Sequence, residues 1–135
     1  MKLAHLPINH RDDRGTIRDI FPSAAPECVT VITSEVGAVR GNHVHDQSTQ
    51  YIYVIEGELE AWWRDPATGK VWLEHLGPGD LMTHDPGEEH AYRATAPTTF
   101  LAFAQGIRKG TDYEKDTRRV PSLIDAWRAQ QGDQK

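Results

Sequence analysis

Short apolar segments recur along the chain, separated by clusters of Gly, Pro and Asp, and within most of them apolar and polar residues alternate one by one. A two-residue period places successive side chains on opposite faces of an extended strand. The pattern therefore predicts strands over residues 16–21, 28–34, 39–45, 50–56, 58–64, 70–75, 80–84, 90–95 and 99–105, a spacing that suits an all-β sandwich or barrel. Turn chemistry falls between them. Glu56-Gly57 offers a residue tolerant of positive φ, 65–69 is a longer hairpin loop containing Pro66 and Gly69, and Gly77-Pro78-Gly79-Asp80 is a sharp turn. From 106 to 120 the composition is polar and predicts a loop. After it a short helix is expected from Pro121 to about residue 130, with an apolar stripe of Leu123, Ile124 and Trp127 and frayed residues from Gln131.

Segment 50–56 departs from simple amphipathic alternation. Gln50, Ile52 and Val54 share one face, and Tyr51, Tyr53 and Ile55 share the other, so both faces are apolar. A strand with water on one side does not read this way. The second face requires a cover from another sheet, the N-terminal segment or a second subunit, and a homodimer across the Tyr51/Tyr53 face is expected.

The chain has 135 residues, which suits a single domain with its core over about 16–105. The formal net charge is -5 with acidic and basic residues mixed throughout, so neither nucleic acid nor an anionic membrane surface is an expected partner. No apolar run reaches membrane-spanning length and none near Met1 resembles a signal peptide, so a cytoplasmic protein is expected. The one cysteine, Cys28, lies in the apolar run 28–32 and is expected to be a buried structural thiol.

Candidate chemistry concentrates in the middle of the chain. His43 and His45 flank Val44 and share a strand face, Gln50 follows five residues after His45, and His90 lies on a later strand. Imidazole nitrogens converging from neighbouring strands form a pattern for a divalent transition metal, and ligand type alone does not choose among zinc, nickel, iron, manganese and copper. Tyr92 shares the face of His90 and brings a hydroxyl near it. His84 is expected on a solvent-exposed loop, and His5, His10 and His75 at the surface. Trp62, Trp63 and Trp72 are expected in core packing, with at most one of the adjacent pair Trp62 and Trp63 pointing inward, and Arg118 and Arg119 are expected in solvent.

Gly37, His43-Val44-His45, Gln50 and Gly57 resemble the first motif of the cupin superfamily, and Gly79-Asp80 with Asp85-Pro86-Gly87-Glu88-Glu89-His90 is similar to the second. The resemblance implies an all-β jelly-roll barrel with a short C-terminal helix and a site at the barrel mouth. Carried over residue by residue, it implies metal ligation by His43, His45, Gln50 and His90. Gln50 stands where most metal-binding cupins have Glu, Asp85 where they have Pro, and Ala94 where they often have Asn. An amide leaves the charge of an ion undiminished and cannot act as a general base.

A second resemblance rests on Asp13-Arg14-Gly15, on Arg40-Gly41-Asn42-His43-Val44-His45 and on the tail Gly110-Thr111-Asp112-Tyr113-Glu114-Lys115-Asp116. These resemble cupins of deoxysugar and capsular polysaccharide biosynthesis, including nucleotide-linked 3,4-ketoisomerases, where a Gln at the position of Gln50 is ordinary. This resemblance implies His43 or His45 as an acid/base group beside a sugar carbonyl, Arg40 as a substrate contact, and no metal. Three readings stay open: a metal-dependent enzyme on a small polar, oxygen-rich substrate, with isomerase and dioxygenase chemistry both possible; a metal-free sugar-nucleotide isomerase or epimerase; and a non-enzymatic ligand-binding or sensor protein.

Overall fold

Strands appear nearly everywhere the alternation predicts them in the computed structural model, which describes residues 1–20, 28–106 and 115–133. In chain order they are β1 (Lys2–His5), β2 (His10–Asp12), β3 (Gly15–Ile17), β4 (Cys28–Ser34), β5 (Val39–His45), β6 (Thr49–Glu56), β7 (Leu59–Arg64), β8 (Val71–Leu76), β9 (Asp80–His84), β10 (His90–Ala94), β11 (Thr98–Gln105) and β12 (Thr117–Arg119), followed by helix α1 (Leu123–Asp133). Two five-stranded sheets, ordered β1-β9-β6-β11-β4 and β12-β5-β10-β7-β8, face each other as a jelly-roll sandwich, and β2 pairs with β3 in a small ribbon. Among the described residues the strand pairings are antiparallel.

The inward positions follow from strand alternation. Ile52 and Val54 on β6, Met82 on β9, and Phe100 and Ala102 on β11 meet Leu59 and Ala61 on β7, Leu76 on β8, and Tyr92 and Ala94 on β10 in one core cluster. Gly57 joins β6 to β7 at φ 92°, and a Cβ there would sit 2.4 Å from the Pro97 carbonyl oxygen, so only glycine fits this turn.

A second, smaller core lies outside the β12-β5-β10-β7-β8 sheet. Trp62, Val71 and Ala91 point outward there and are covered by Leu123 and Ile124 of α1. Ser122 caps the helix, its Oγ accepting from the Asp125 N–H at 3.2 Å, which leaves Pro121 outside the first turn. Gln130 ties the far end, accepting from the Val71 N–H at 2.7 Å and donating to the Val71 carbonyl at 3.0 Å. This clamp explains why α1 runs on through Gln131, where fraying is expected from sequence.

Several expectations need correction. The polar loop expected over 106–120 contains β12, whose three residues pair with the outer edge of β5, and β1 forms on the edge of β9; both are too short and polar to carry an alternation signal. The strand expected over 16–21 is confined to Gly15–Ile17 within the described residues, and Phe21 lies outside them. Cys28 is half-buried, not buried, because it opens β4, the outermost strand of its sheet; its Sγ lies 3.9 Å from Thr30 Oγ1. Trp63 takes the inward position beside His90, whereas Trp62 is buried against the helix and Trp72 is exposed.

Leu123 is completely buried between the helix and the sheet. Its replacement by Ala is expected to cost about 3 kcal/mol, read as a lower midpoint in urea denaturation. A loss under about 1 kcal/mol, the usual scale for surface positions, would show that α1 is not integral to the fold.

Candidate functional site

Straight alternation would put Arg40 and His43 on opposite faces of β5, since they are three residues apart. A one-residue bulge prevents this. Arg40 stands opposite Tyr92 and Gly41 opposite Ala91, but His43 stands opposite His90, so Asn42 is extra. Gly41 and Asn42 take φ values of 93° and 54°, and a Cβ on Gly41 would lie 2.8 Å from the His90 carbonyl oxygen. The bulge is anchored from outside by the segment leading into α1: the Val120 N–H donates to the Asn42 carbonyl and the Leu123 N–H to Asn42 Oδ1, each at 3.0 Å. Arg40, His43, His45, His90 and Tyr92 consequently share the inner face.

Three imidazoles meet there. Ring centroids of His43 lie 4.7 Å from those of both His45 and His90, His45 and His90 are 5.5 Å apart, and one nitrogen from each ring lies within 4.8 Å of the others. Gln50 reaches across from β6, accepting at Oε1 from the His45 Nε2–H at 3.0 Å. The Thr117 hydroxyl on β12 lies 3.3 Å from His45 Nδ1 and donates to it in that tautomer. Asp116 secures this strand, accepting from the Gln47 and Ser48 N–H groups at 2.9 Å and from the Ser48 hydroxyl at 2.6 Å. Burial alone would raise the Asp116 carboxyl, but these donors and the nearby His45 outweigh it and hold it below the usual carboxylate range.

His84 requires the main correction at the site. Expected on an exposed loop, it is 1% exposed, because it ends β9 two residues after the core residue Met82 and shares its inward face. It stacks on His90 with centroids 4.2 Å apart and planes 9° from parallel, bonds Glu88 Oε1 through Nδ1 at 2.6 Å, and meets the Tyr92 hydroxyl at Nε2. The alternation from Met82 was the available signal for His84; Glu88 carried none. His5, His10 and His75 are exposed as expected.

Desolvation, followed by repulsion from His84, His43 and His45, holds His90 well below the ordinary imidazole range, against a hydrogen bond to the Glu88 carbonyl. His84 is likewise lowered by burial, against the pull of Glu88. These rings are neutral at physiological pH.

A pocket of about 690 Å³ opens onto this group, with His43, Gln50 and Tyr92 in its wall and Arg40, Asn42 and Arg119 nearer its rim. His45 and His90 lie behind, 3% and 1% exposed. Arg40 is braced by Nε to Ser34 Oγ at 2.9 Å and Nη2 to the Thr33 carbonyl at 2.8 Å. Arg119, expected in solvent, is exposed but stands opposite His43 on β12 and so belongs to the pocket; Arg118 points to Asp46 at the surface. Residues 110–114 of the tail motif lie outside the described residues.

The donor set fits an ion: His90 donates Nδ1–H to the Glu88 carbonyl at 3.0 Å, leaving Nε2 unprotonated, buried and without a hydrogen-bond partner among the described residues. It also fits proton transfer, because His43 faces the pocket beside a fixed cation.

Residues 30–104 match the family model described as Cupin domain. Among solved structures, the chain is similar to QdtA, a sugar 3,4-ketoisomerase from Thermoanaerobacterium thermosaccharolyticum in complex with TDP, with a TM-score of 0.73 at 18% identity over 96% of this chain and 95% of that one. A 3,4-ketoisomerase from Helicobacter canadensis gives 0.74 at 16% identity over 95% of each chain. The 3,5-epimerase RmlC from Legionella pneumophila Philadelphia 1, in complex with dTDP-4-keto-L-rhamnose, gives 0.75 at 15% identity over 93% of this chain and 74% of that one. These likenesses establish the shared fold. Comparison of the sequence with curated proteins gives no match. Among the described residues no helix is long and apolar enough to cross a membrane.

Because His84 and His90 are lowered in the native state, the unfolded chain takes up protons first as pH falls through about 6.5. Stability is therefore expected to be full above that value and to decline below it until the native rings also protonate. Thermal melts from about pH 8 to about pH 5 should show a falling Tm, shallower in His90→Gln. A Tm that is flat or rises on acidification would contradict neutral burial of these rings.

Proposed function

This chain belongs to the cupin family, and from that premise we propose that it is an isomerase or epimerase of a nucleotide-linked sugar, with His43 and His45 as its acid/base groups. One observation carries the reading: His43 faces a pocket whose rim holds Arg40 and Arg119. The match in span with TDP-bound QdtA supports it.

Moving a sugar carbonyl, or inverting the carbon beside it, removes a proton from that carbon and returns one to the enediol that forms. The base must be neutral and within reach of the C–H. His43 occupies the pocket wall. His43 gives back the proton it has taken up, and His45, behind it, is fixed in place by its Nε2–H on Gln50 and by Thr117 at Nδ1. Arg40 and Arg119 supply the positive charge that a diphosphate requires, and the bracing of Arg40 lowers the ordering cost of binding.

A second reading, a metal-dependent cupin on a small oxygen-rich substrate, is favoured by the nitrogen atoms of His43, His45 and His90 lying within 4.8 Å. Gln50 would complete that set, and a bound zinc, nickel, iron, manganese or copper ion would supply Lewis acidity there. His45 would then have to give up its Nε2 proton, which the Thr117 hydroxyl can accommodate by accepting from Nδ1.

A homodimer in the cytoplasm goes with either reading. The outer face of the β1-β9-β6-β11-β4 sheet carries Val29, Val31 and Ile55 at 55%, 65% and 47% exposure, an apolar surface that a second copy would cover. Sedimentation equilibrium is expected to return twice the chain mass, and a concentration-independent monomer would refute the dimer.

The readings separate experimentally. A TDP-linked 4-keto sugar is expected to raise Tm in the presence of chelator and to be turned over, with His43→Asn lowering kcat by roughly a hundredfold or more at nearly unchanged Tm. No stabilisation and no turnover across TDP-, UDP- and GDP-linked sugars would reject the first reading. About one tightly held metal ion per chain after purification without chelator, lost in His90→Ala, would establish the second.

A further inference from the structure

Strand β12 has little of its own to hold it. It is three residues long, lies at the outer edge of its sheet, and exposes Arg118 and Arg119. Alternation turns Thr117 and Arg119 to the same side, where both line the pocket, and sends Arg118 to the exposed Asp46 carboxylate at 3.1 Å. An exposed ion pair of that kind contributes little. Arg119 Nη1 donates to the Gly41 carbonyl across a long 3.4 Å.

The firm attachment comes from the residue before the strand. Gln47 and Ser48 lie between the end of β5 and the start of β6, and two successive backbone N–H groups form a concavity suited to an anion. The Asp116 carboxylate fills it. Oδ1 accepts from the Gln47 N–H at 2.9 Å, and Oδ2 accepts from the Ser48 N–H at 2.9 Å and from the Ser48 hydroxyl at 2.6 Å. Asp116 and Ser48 are 8% and 2% exposed, so water screens these bonds little. Both oxygens must accept, which an amide cannot do, because whichever way an asparagine turned its NH2 would meet an N–H. One side chain thereby ties β12 to the turn that joins His45 to Gln50.

We propose that Asp116 is a positioning residue for the ligand: by locking β12 to the 46–48 turn it holds Arg119 at the pocket, and affinity for a nucleoside diphosphate depends on it through Arg119. This goes beyond the sugar-nucleotide reading and rests on it. Asp116 takes no part in the pocket lining, and a direct electrostatic effect has the opposite sign. Removing a negative charge near the pocket would tighten a diphosphate, whereas releasing Arg119 weakens it.

The test titrates TDP calorimetrically into the unaltered protein, Asp116→Asn, Arg119→Gln and the double variant. Each single substitution is expected to weaken TDP about tenfold, the scale of one charge-assisted contact. The double variant is expected to bind no more weakly than Arg119→Gln alone. Unchanged or tighter binding in Asp116→Asn, or losses that multiply in the double variant, would overturn this proposal alone. Failure of the unaltered protein to bind TDP, UDP or GDP would overturn the sugar-nucleotide reading with it. Ser48→Ala deletes only the hydroxyl donor and covers the case in which Asp116→Asn does not fold. It is expected to weaken TDP about threefold, again only while Arg119 is present, and an equal loss in the Arg119→Gln background would count against the proposal. A further measurement needs no ligand: amide exchange at Val120, whose N–H bonds the Asn42 carbonyl, is expected to rise about tenfold or more in Asp116→Asn while β6 is unchanged. No rise, or an equal rise in β6, would refute the local anchoring.

Discussion

The one-residue bulge in β5 is the constraint on which the site depends. It lets Arg40 face the same interior as His43 and His45, and it sets His43 level with His90 on the neighbouring strand. Each part of the bulge has a separate cause. Gly41 allows the backbone of β5 to approach that of β10 within a distance that a Cβ would forbid, and Asn42 uses its side chain to accept from the first residue of α1. The helix therefore does more than cover Trp62. By holding Asn42 from outside, it fixes the strand position that faces the pocket inside.

The sandwich interior is graded from apolar to polar along its strands. At one end Val54, Leu59, Leu76 and Ala94 belong to the apolar cluster. At the other, Gln50 and His84 on one sheet reach His45 and Tyr92 on the other through hydrogen bonds. A buried polar group costs free energy unless paired, so the polar end stays stable only while each member finds its partner. The apolar end supplies the burial that holds the two sheets at the spacing those hydrogen bonds require.

Legibility from sequence followed this gradient. β7, with Leu59 and Ala61 on one face and Glu60 and Arg64 on the other, was readable because alternation is strong where a core is being filled, and β6 and β11 were readable as runs apolar on both faces. The shared face of His43 and His45 followed from the same period, and the meeting with His90 was signalled by two motifs in order. Arg40 was assigned through its motif, although simple alternation would have turned it outward, because a bulge leaves no mark in a hydrophobic pattern beyond a glycine. His84 was misplaced for a different reason: a histidine at a strand end is weighed as polar, and only its two-residue step from Met82 points inward. Arg119 and Thr117 were unreadable because β12 is held by its pairing with β5 and not by its own apolar content.

Gln50 links the buried hydrogen-bond network to the charge of the site. A glutamate in its place would bring a negative charge to within hydrogen-bond distance of His45 in a site that is almost wholly desolvated, and would favour a protonated imidazole. The amide accepts from His45 without adding charge. Neutrality is maintained by burial and repulsion from the neighbouring rings at His90 and by burial at His84. Positive charge is confined to the arginines of the rim, and the negative charge of Glu88 is kept behind His84. A pocket arranged in this way keeps two guanidinium groups in its lining and the buried, neutral imidazoles of His84 and His90 behind it.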